Sequence, residues 1–205
     1  MAPALAPGYV SDVYNHPMPH PHMARPDASI LVVIDVQEAF ARGMADRDKV
    51  TANIATLVRV ARINQVPIIV TEQNPSRLGP TVPELSSLLK EMSSYDPIGK
   101  MAFSCCAVEP FVQRVYDSGR DTLILVGMEA HVCIAQTALD ALNMGYRAHV
   151  VQDAVTSHHA GNLSAAMDKL RHAGAIITST EMVAYELIGE AGTPQFKQAM
   201  EYLKW

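Results

Sequence analysis

Two side chains able to support acid–base and nucleophilic chemistry follow hydrophobic runs. Asp35 closes the run "SILVVIDV", and Cys133 lies just after "DTLILVG", where helical spacing begins in "VGMEAHVCIAQTALDAL". An acid at the end of an apolar strand is costly unless it is paired. A thiol in the first turn of a helix has its pKa lowered by the helix dipole. The two residues predict a cysteine nucleophile with a carboxylate base, although a lone cysteine can also be a small buried hydrophobe.

A third residue, Lys100, could hold together the charges that such a reaction creates. On its own, a lysine is most often a solvated surface charge. Backbone N–H groups before and at Cys133 would point toward the same spot and could stabilise an oxyanion. If the thiol pKa is lowered in this way, we expect Cys133 to react with iodoacetamide well below pH 8.

Predicted strands alternate with predicted helices along the whole chain. This order predicts one α/β domain, with a mostly parallel sheet covered by helices on both faces. In such sheets, ligands bind beyond the carboxyl ends of the strands, where the strand order reverses. If the strands before Asp35 and Cys133 are neighbours, both residues face one crevice. The turn-rich stretch "QNPSRLGPTVPEL" is expected to form a loop over that crevice.

Composition restricts the classes of partner. The 205 residues are 49% hydrophobic and 18% charged, with a net charge of −5. These values are typical of a globular protein and do not favour nucleic acid as a partner. The apolar runs are too short to span a bilayer. Three cysteines, an odd and low number, argue against a disulfide framework and favour a reducing, cytoplasmic location, with an organelle left open.

Residues 1–28 are predicted to form an extended arm, and residues 29–205 the folded domain. The arm is rich in proline and lacks the apolar segment of a signal peptide. Its histidines, His16, His20 and His22, are better explained by a solvated arm than by a metal site.

Four stretches resemble the isochorismatase-like cysteine hydrolases: "LVVIDVQEAF", "VTEQNPSRLGPTVPEL", "IGKMAFS" and "VGMEAHVCIAQTALDAL". "VVQDAVTS" and "TPQFKQAMEYLK" extend the resemblance over roughly residues 28–204. The most similar branch is that of the isochorismatase domain-containing proteins. Neither the G-x-G-x-x-G motif of dinucleotide-binding proteins nor the G-x-S-x-G elbow of serine hydrolases occurs.

The resemblance implies a catalytic triad of Asp35, Lys100 and Cys133. It also implies a six-stranded, mostly parallel sheet with order 3-2-1-4-5-6, in a Rossmann-like three-layer sandwich. A cis peptide between Met128 and Glu129 would aim the N–H groups of Glu129 and Cys133 at an oxyanion. The implied reaction is hydrolysis of a small amide through a thioester at Cys133.

Several residues are expected around the substrate pocket. The segment with Gln37 and Phe40 lines the pocket in the family, although simple packing is the alternative. Glu72 and Gln73 lie at the same rim and either orient Lys100 or substrate, or cap a loop. His131 flanks the turn before Cys133.

Departures from the family pattern make two activities of the superfamily unexpected for this chain. Nicotinamidases of the superfamily bind a metal through histidines, but this chain has no histidine between His22 and His131. We therefore expect no metal and no cofactor, and no nicotinamidase activity. True isochorismatases lack the cysteine, so vinyl-ether hydrolysis is not expected either. Ala130 stands where some members of the nearest branch have threonine.

Two pairs of potentially reactive residues are given structural roles. His158 and His159 are predicted to be surface or subunit contacts. Cys105 and Cys106 are predicted to be buried at the start of a helix, with a redox role as the minor alternative.

Two functions remain open. The first is a cysteine hydrolase acting on a small amide. The second is a catalytically weak or inactive member that serves as an oligomeric binding or scaffold protein. In both, the chain is expected to form a homo-oligomer, a dimer or larger, with subunit contacts through its arm and its last helix.

Overall fold

Six strands form one sheet in the part of the chain that the computed structural model describes, residues 20–44 and 46–203. The strands are β1 (Ser29–Ile34), β2 (Ile68–Gln73), β3 (Ile98–Lys100), β4 (Thr122–Met128), β5 (Arg147–Thr156) and β6 (Ile176–Thr178). Their order is β3-β2-β1-β4-β5-β6, as predicted. All five pairings within the sheet are parallel, so the sheet is more uniform than the "mostly parallel" prediction.

The helices of the described residues alternate with these strands. They are α1 (Glu38–Ala41), α2 (Arg47–Ile63), α3 (Pro75–Leu78), α4 (Pro83–Glu91), α5 (Glu109–Asp117), α6 (Ala135–Asn143), α7 (Ala160–His172), α8 (Thr180–Ile188) and α9 (Pro194–Ala199). A 3₁₀ turn (Cys105–Ala107) precedes α5, and a π-helical turn (Ala130–Ile134) precedes α6. None of these helices is long and apolar enough to cross a membrane.

The sheet has an apolar core on each face. In β1, Leu31 and Val33 belong to one core, while Ile30, Val32 and Ile34 belong to the other. Helices α2, α4, α8 and α9 cover the first face, and α5, α6 and α7 cover the second. A strand that is buried on both sides favours apolar side chains, which explains the run "ILVVI" that follows Ser29. The predicted three-layer arrangement is confirmed.

The described part of the predicted arm, residues 20–28, is attached to the domain. Ala24 is buried, and its N–H donates to Glu186 Oε2 at 2.9 Å. The Arg120 guanidinium donates to the carbonyl oxygens of Pro26 and Ser29. Residues 1–19, which include His16, lie outside the described residues.

The last helix, α9, is short and begins at an N-cap threonine. The Thr193 hydroxyl accepts a hydrogen bond from Phe196 N–H at 3.1 Å, and Pro194 occupies the first turn. Helix α9 ends at Ala199, and the following turn brings Leu203 into the core.

Candidate functional site

Strands β1 and β4 pair side by side at the centre of the sheet, from Ser29 opposite Thr122 to Ile34 opposite Gly127. Gly127 has φ +137°, and a Cβ atom there would lie 2.0 Å from the Ile34 carbonyl oxygen. Only glycine allows the two strand ends to approach so closely. Asp35 follows β1 and Cys133 follows β4, so both come to one edge of the sheet, as predicted.

Asp35 and Lys100 form a buried ion pair at this edge. Lys100 Nζ lies 2.7 Å from Asp35 Oδ2, and both side chains have no exposed surface. Nζ donates hydrogen bonds to Gln73 Oε1 (2.8 Å), Ala102 O (3.2 Å) and Phe103 O (3.0 Å). These bonds use the three protons of the ammonium group. Together with Oδ2, the ammonium group therefore has four oxygen neighbours for three protons, and Oδ2 keeps a lone pair that can accept another proton.

Thr71 orients the Asp35 carboxylate. Its hydroxyl donates to Asp35 Oδ1 at 2.8 Å, and its carbonyl accepts from Asp35 N–H at 3.1 Å. Asp35 has a left-handed backbone, with φ 51°. With Oδ1 bound to Thr71, Oδ2 is the oxygen left for Lys100 and for chemistry. Thr71 was not singled out from the sequence.

Cys133 differs from its prediction in both placement and electrostatics. It lies in the π-helical turn, not in the first turn of an α-helix, and is 2% exposed. Burial raises the pKa of its thiol well above the ordinary range, and the negative charge of Asp35 raises it further, while Lys100 partly opposes this. The Asp35–Lys100 pair has no net charge, so it does not compensate a thiolate at Cys133 for the loss of its hydration. The expected lowering of the thiol pKa was wrong, and the resting sulfur is protonated.

The turn before Cys133 also differs from the prediction. None of the described residues has a cis peptide bond, so the expected cis bond between Met128 and Glu129 was wrong. The chain reverses through the left-handed backbone of Glu129 (φ 59°, ψ 62°), and Val132 N–H closes the turn on the Glu129 carbonyl at 2.9 Å. The role of the Glu129 and Cys133 N–H groups as an oxyanion hole stays a prediction.

Cys133 lines a cavity of about 360 Å³. Its walls are formed by Phe40, Phe103, Glu129, His131, Val132, Cys133, His158, His159 and Asn162. Phe40 and His131 were expected there from the sequence. His158 and His159 are exposed, as predicted for surface residues, and they also line the cavity because they follow β5, the next strand beside β4. The strand-end rule that located Asp35 could also have found them.

Gln37 and Gln73, which were predicted to line the pocket, are not among the residues of the cavity wall. Their side chains instead form hydrogen bonds that connect neighbouring segments of the chain. Gln37 Nε2 donates to the carbonyls of Gln73 (3.1 Å) and Gly79 (2.5 Å), and its Oε1 accepts from Gln73 N–H at 2.7 Å. Gln73 Nε2 donates to Met101 O at 2.9 Å, which leaves its Oε1 to hold the Lys100 ammonium. The hydrogen bond between Gln73 and Lys100 is the contact expected if Gln73 orients the lysine, and that role stays a prediction.

Glu72 is also absent from the cavity wall and serves the loop. Its Oε1 accepts hydrogen bonds from Thr81 N–H (2.7 Å), Thr81 Oγ1 (2.8 Å) and Tyr95 OH (2.8 Å). Successive side chains of a strand point to opposite faces, so Glu72 is turned away while Gln73 reaches Lys100. Of the two expected roles, these contacts agree with the loop-capping one.

A polar cluster surrounds His131 at the cavity mouth. Its Nδ1 lies 3.0 Å from Ser157 Oγ and 3.2 Å from Glu129 Oε2, and its Nε2 lies 3.2 Å from Asn162 Nδ2. No group of three potential metal ligands occurs among the described residues.

Cys105 and Cys106 lie in the 3₁₀ turn before α5 and are free thiols. Cys105 is buried as predicted, and Cys106 is partly buried. Burial raises the pKa of Cys105 to about 11 and that of Cys106 to about 12. Both thiols are protonated at neutral pH.

Comparison with known proteins identifies the family. The isochorismatase domain model matches residues 29–182. The secreted isochorismatase effector Isc1 of Phytophthora sojae is 40% identical over 87% of this chain and 86% of its own length. Isochorismatase domain-containing protein 2 of Macaca fascicularis is 36% identical over 87% of this chain and 84% of its own.

Solved structures agree with this result. The MAR1 ribonuclease of Caenorhabditis elegans is 37% identical with a TM-score of 0.80, over 88% of this chain and 92% of its own. The YcaC gene product of Escherichia coli, described as an octameric hydrolase of unknown specificity, is 26% identical with a TM-score of 0.75, over 84% of this chain and 85% of its own. The chain belongs to the isochorismatase family.

Proposed function

We propose that the protein is a cysteine hydrolase that cleaves a small amide through a thioester intermediate at Cys133. The observation that carries this proposal is the buried Asp35–Lys100 ion pair beside a thiol that lines a cavity. A buried charged pair of this kind is costly to build. Its position at the carboxyl ends of the central strands favours a catalytic role over a structural one.

The reaction begins with proton transfer from the Cys133 thiol to Asp35 Oδ2. The sulfur attacks the amide carbonyl carbon, and the oxyanion rests on the N–H groups of Glu129 and Cys133. The C–N bond then breaks, and the amine leaves with the proton from Asp35. Water attacks the thioester, gives one proton to Asp35 and releases the acid, and the proton returns to sulfur.

Lys100 keeps its proton throughout this cycle. Its ammonium group holds the Asp35 carboxylate in place and stabilises the negative charge on it before and after each proton transfer. Because the thiol is neutral at rest, the sulfur becomes a strong nucleophile only when Asp35 takes its proton. General-base catalysis by Asp35 is therefore essential to the proposed mechanism.

A panel of small primary amides tests the proposal through ammonia release. The proposal expects turnover of at least one amide, and its loss in Cys133→Ala. Cys106→Ala is the matched control, because it removes another thiol outside the cavity and should retain turnover. Turnover by Cys133→Ala at the rate of Cys106→Ala and of the wild type would exclude Cys133 as the nucleophile.

The second candidate is a binding or scaffold protein without turnover, and the raised pKa of the Cys133 thiol favours it. This candidate predicts that an amide binds the cavity but that no thioester forms. A bound amide that stays intact after prolonged incubation would support it over the hydrolase.

Ribonuclease activity, named for the Caenorhabditis elegans relative, is not proposed for this chain. The described residues that line the cavity include no lysine or arginine to hold a phosphate, and the net charge is −5.

We also propose a homo-oligomer, since the Escherichia coli relative is described as octameric. Two large apolar side chains next to the site, Met101 and Phe103, are 71% and 52% exposed, and a subunit contact would cover them. Light scattering after gel filtration tests the proposal, and a mass of one chain would contradict it.

A further inference from the structure

The charge lining the cavity has one sign. Among the described residues of the wall, Glu129 is the only acid, and there is no lysine or arginine. The nearby Lys100 ammonium has no exposed surface and is paired with Asp35, so it offers no free positive charge to a ligand. Apart from its three histidines, His131, His158 and His159, the wall therefore carries a single charged side chain, which is negative.

His131 contacts the Glu129 carboxylate. Its Nδ1 lies 3.2 Å from Glu129 Oε2 and 3.0 Å from Ser157 Oγ, and its Nε2 lies 3.2 Å from the Asn162 amide nitrogen. Imidazoles are ordinarily neutral at pH 8, and at that pH the contact leaves the Glu129 charge in the wall.

The rest of the wall is suited to a flat apolar group. Phe40, Phe103 and Val132 supply aromatic and aliphatic surface, and a volume of about 360 Å³ is at the lower end of the range for ligand sites. A single-ring amide is of the right size for such a space.

We infer that the site takes a small planar amide whose remaining substituents are uncharged or cationic, and that it rejects anionic ones. This inference rests on the proposed amide hydrolase function. An anionic substituent would be desolvated beside Glu129 without a cationic partner, whereas a cation would gain an attractive contact.

Three matched amides test the inference: benzamide, 4-(aminomethyl)benzamide and 4-carboxybenzamide. The measured quantity is kcat/KM at pH 8, where imidazoles are ordinarily neutral. We expect the cationic amide to exceed the anionic one by about tenfold or more, with benzamide between them. An anionic amide that matches or exceeds the cationic one would overturn the inference.

Glu129→Gln keeps the shape of the side chain and removes its charge. It should reduce the cation-to-anion ratio of kcat/KM by about tenfold. Glu38→Gln is the control, because Glu38 lies on α1 outside this cavity, and its ratio should stay at the wild-type value. An unchanged ratio in Glu129→Gln, with the protein folded by circular dichroism, would also overturn the inference.

Binding of the same amides to Cys133→Ala, measured by calorimetry, separates this inference from the proposed function. If the wild-type protein hydrolyses none of the amides but the variant binds the cationic amide most tightly, the hydrolase proposal fails and the charge selection stands. If the amides are hydrolysed without a charge preference, the hydrolase stands and the charge selection fails. No binding of any of the three would overturn the inference.

Discussion

Two buried polar groups in the sheet, Asp35 at its edge and His149 within β5, are treated very differently by their surroundings. The Asp35 carboxylate receives a hydrogen bond from Thr71 and an ion pair from Lys100. His149 is fully buried, and neither of its ring nitrogens has a hydrogen-bond partner among the described residues. Burial, together with the charges of Arg147 and His22, lowers the pKa of His149 to about 4.

The difference shows how position in a parallel sheet decides what a polar side chain can do. Asp35 lies where the chain leaves β1, and the neighbouring strands β2 and β3 bring Thr71 and Lys100 to it. His149 lies between Ile124 and Ile176 of the neighbouring strands, where the backbone groups are already paired. Asp35 can therefore stay charged and take part in chemistry, whereas His149 is restricted to its neutral form.

The largest expected effect comes from breaking the ion pair at the edge. Asp35→Asn leaves the Lys100 ammonium buried without a counter-charge, so we expect a loss of about 3–5 kcal/mol of unfolding free energy. Turnover should fall at least about 10³-fold, because the general base is removed. Urea denaturation and steady-state kinetics measure the two effects.

The double variant Asp35→Asn with Lys100→Met is the control for that result. It removes both charges, so it should be more stable than Asp35→Asn alone while remaining inactive. If the stability losses of Asp35→Asn and of Lys100→Met add up to the loss in the double variant, the two charges are not coupled.

The second prediction concerns the unpartnered His149. Its folded pKa, about 4, is below the ordinary value of 6.5, so the unfolded chain binds the proton more readily. The stability due to neutral His149 is present above pH 6.5 and is lost as the pH falls through 4, by about 3 kcal/mol in total.

Denaturation curves at several pH values measure this loss, with His149→Leu as the comparison. The variant should have a shallower fall in stability between pH 6.5 and 4. The same slope in both proteins would contradict the account of His149 as a buried neutral imidazole.

The third prediction tests the partner that makes Asp35 different from His149. Thr71→Val removes the hydroxyl bound to Oδ1 and leaves the shape of the side chain. We expect a loss of about 1–2 kcal/mol of stability and roughly a tenfold lower kcat. Thr71→Ser, which restores the hydroxyl, should recover kcat. A purely packing role would instead show no rescue by serine.

The smallest effect is on the labelling rate of Cys133. Because burial and Asp35 raise the pKa of its thiol, alkylation by iodoacetamide should be slow at pH 7 and should still be rising at pH 9. Peptide mapping by mass spectrometry gives the rate at each pH. A labelling rate that levels off below pH 8 would contradict a raised thiol pKa and would support the lowered pKa that was predicted from the sequence.

The sequence was sufficient to place Asp35 and Cys133 together, because buried strands followed by polar residues in an alternating α/β chain have few possible arrangements. Lys100 could be found only through the family resemblance, since β3 has three residues and includes Gly99. Thr71 was missed because side-chain direction within β2 depends on register. The left-handed Glu129 backbone, which replaces the expected cis bond, leaves no signal in residue types.

Rapid-quench mass spectrometry of the intact protein with a hydrolysed amide tests the central claim most directly. We predict a transient adduct with the mass of the acyl group, located on Cys133 by peptide mapping, and formed much more slowly in Asp35→Asn. Turnover without any adduct on Cys133, or an adduct that forms equally fast in Asp35→Asn, would contradict a mechanism in which Asp35 activates the thiol.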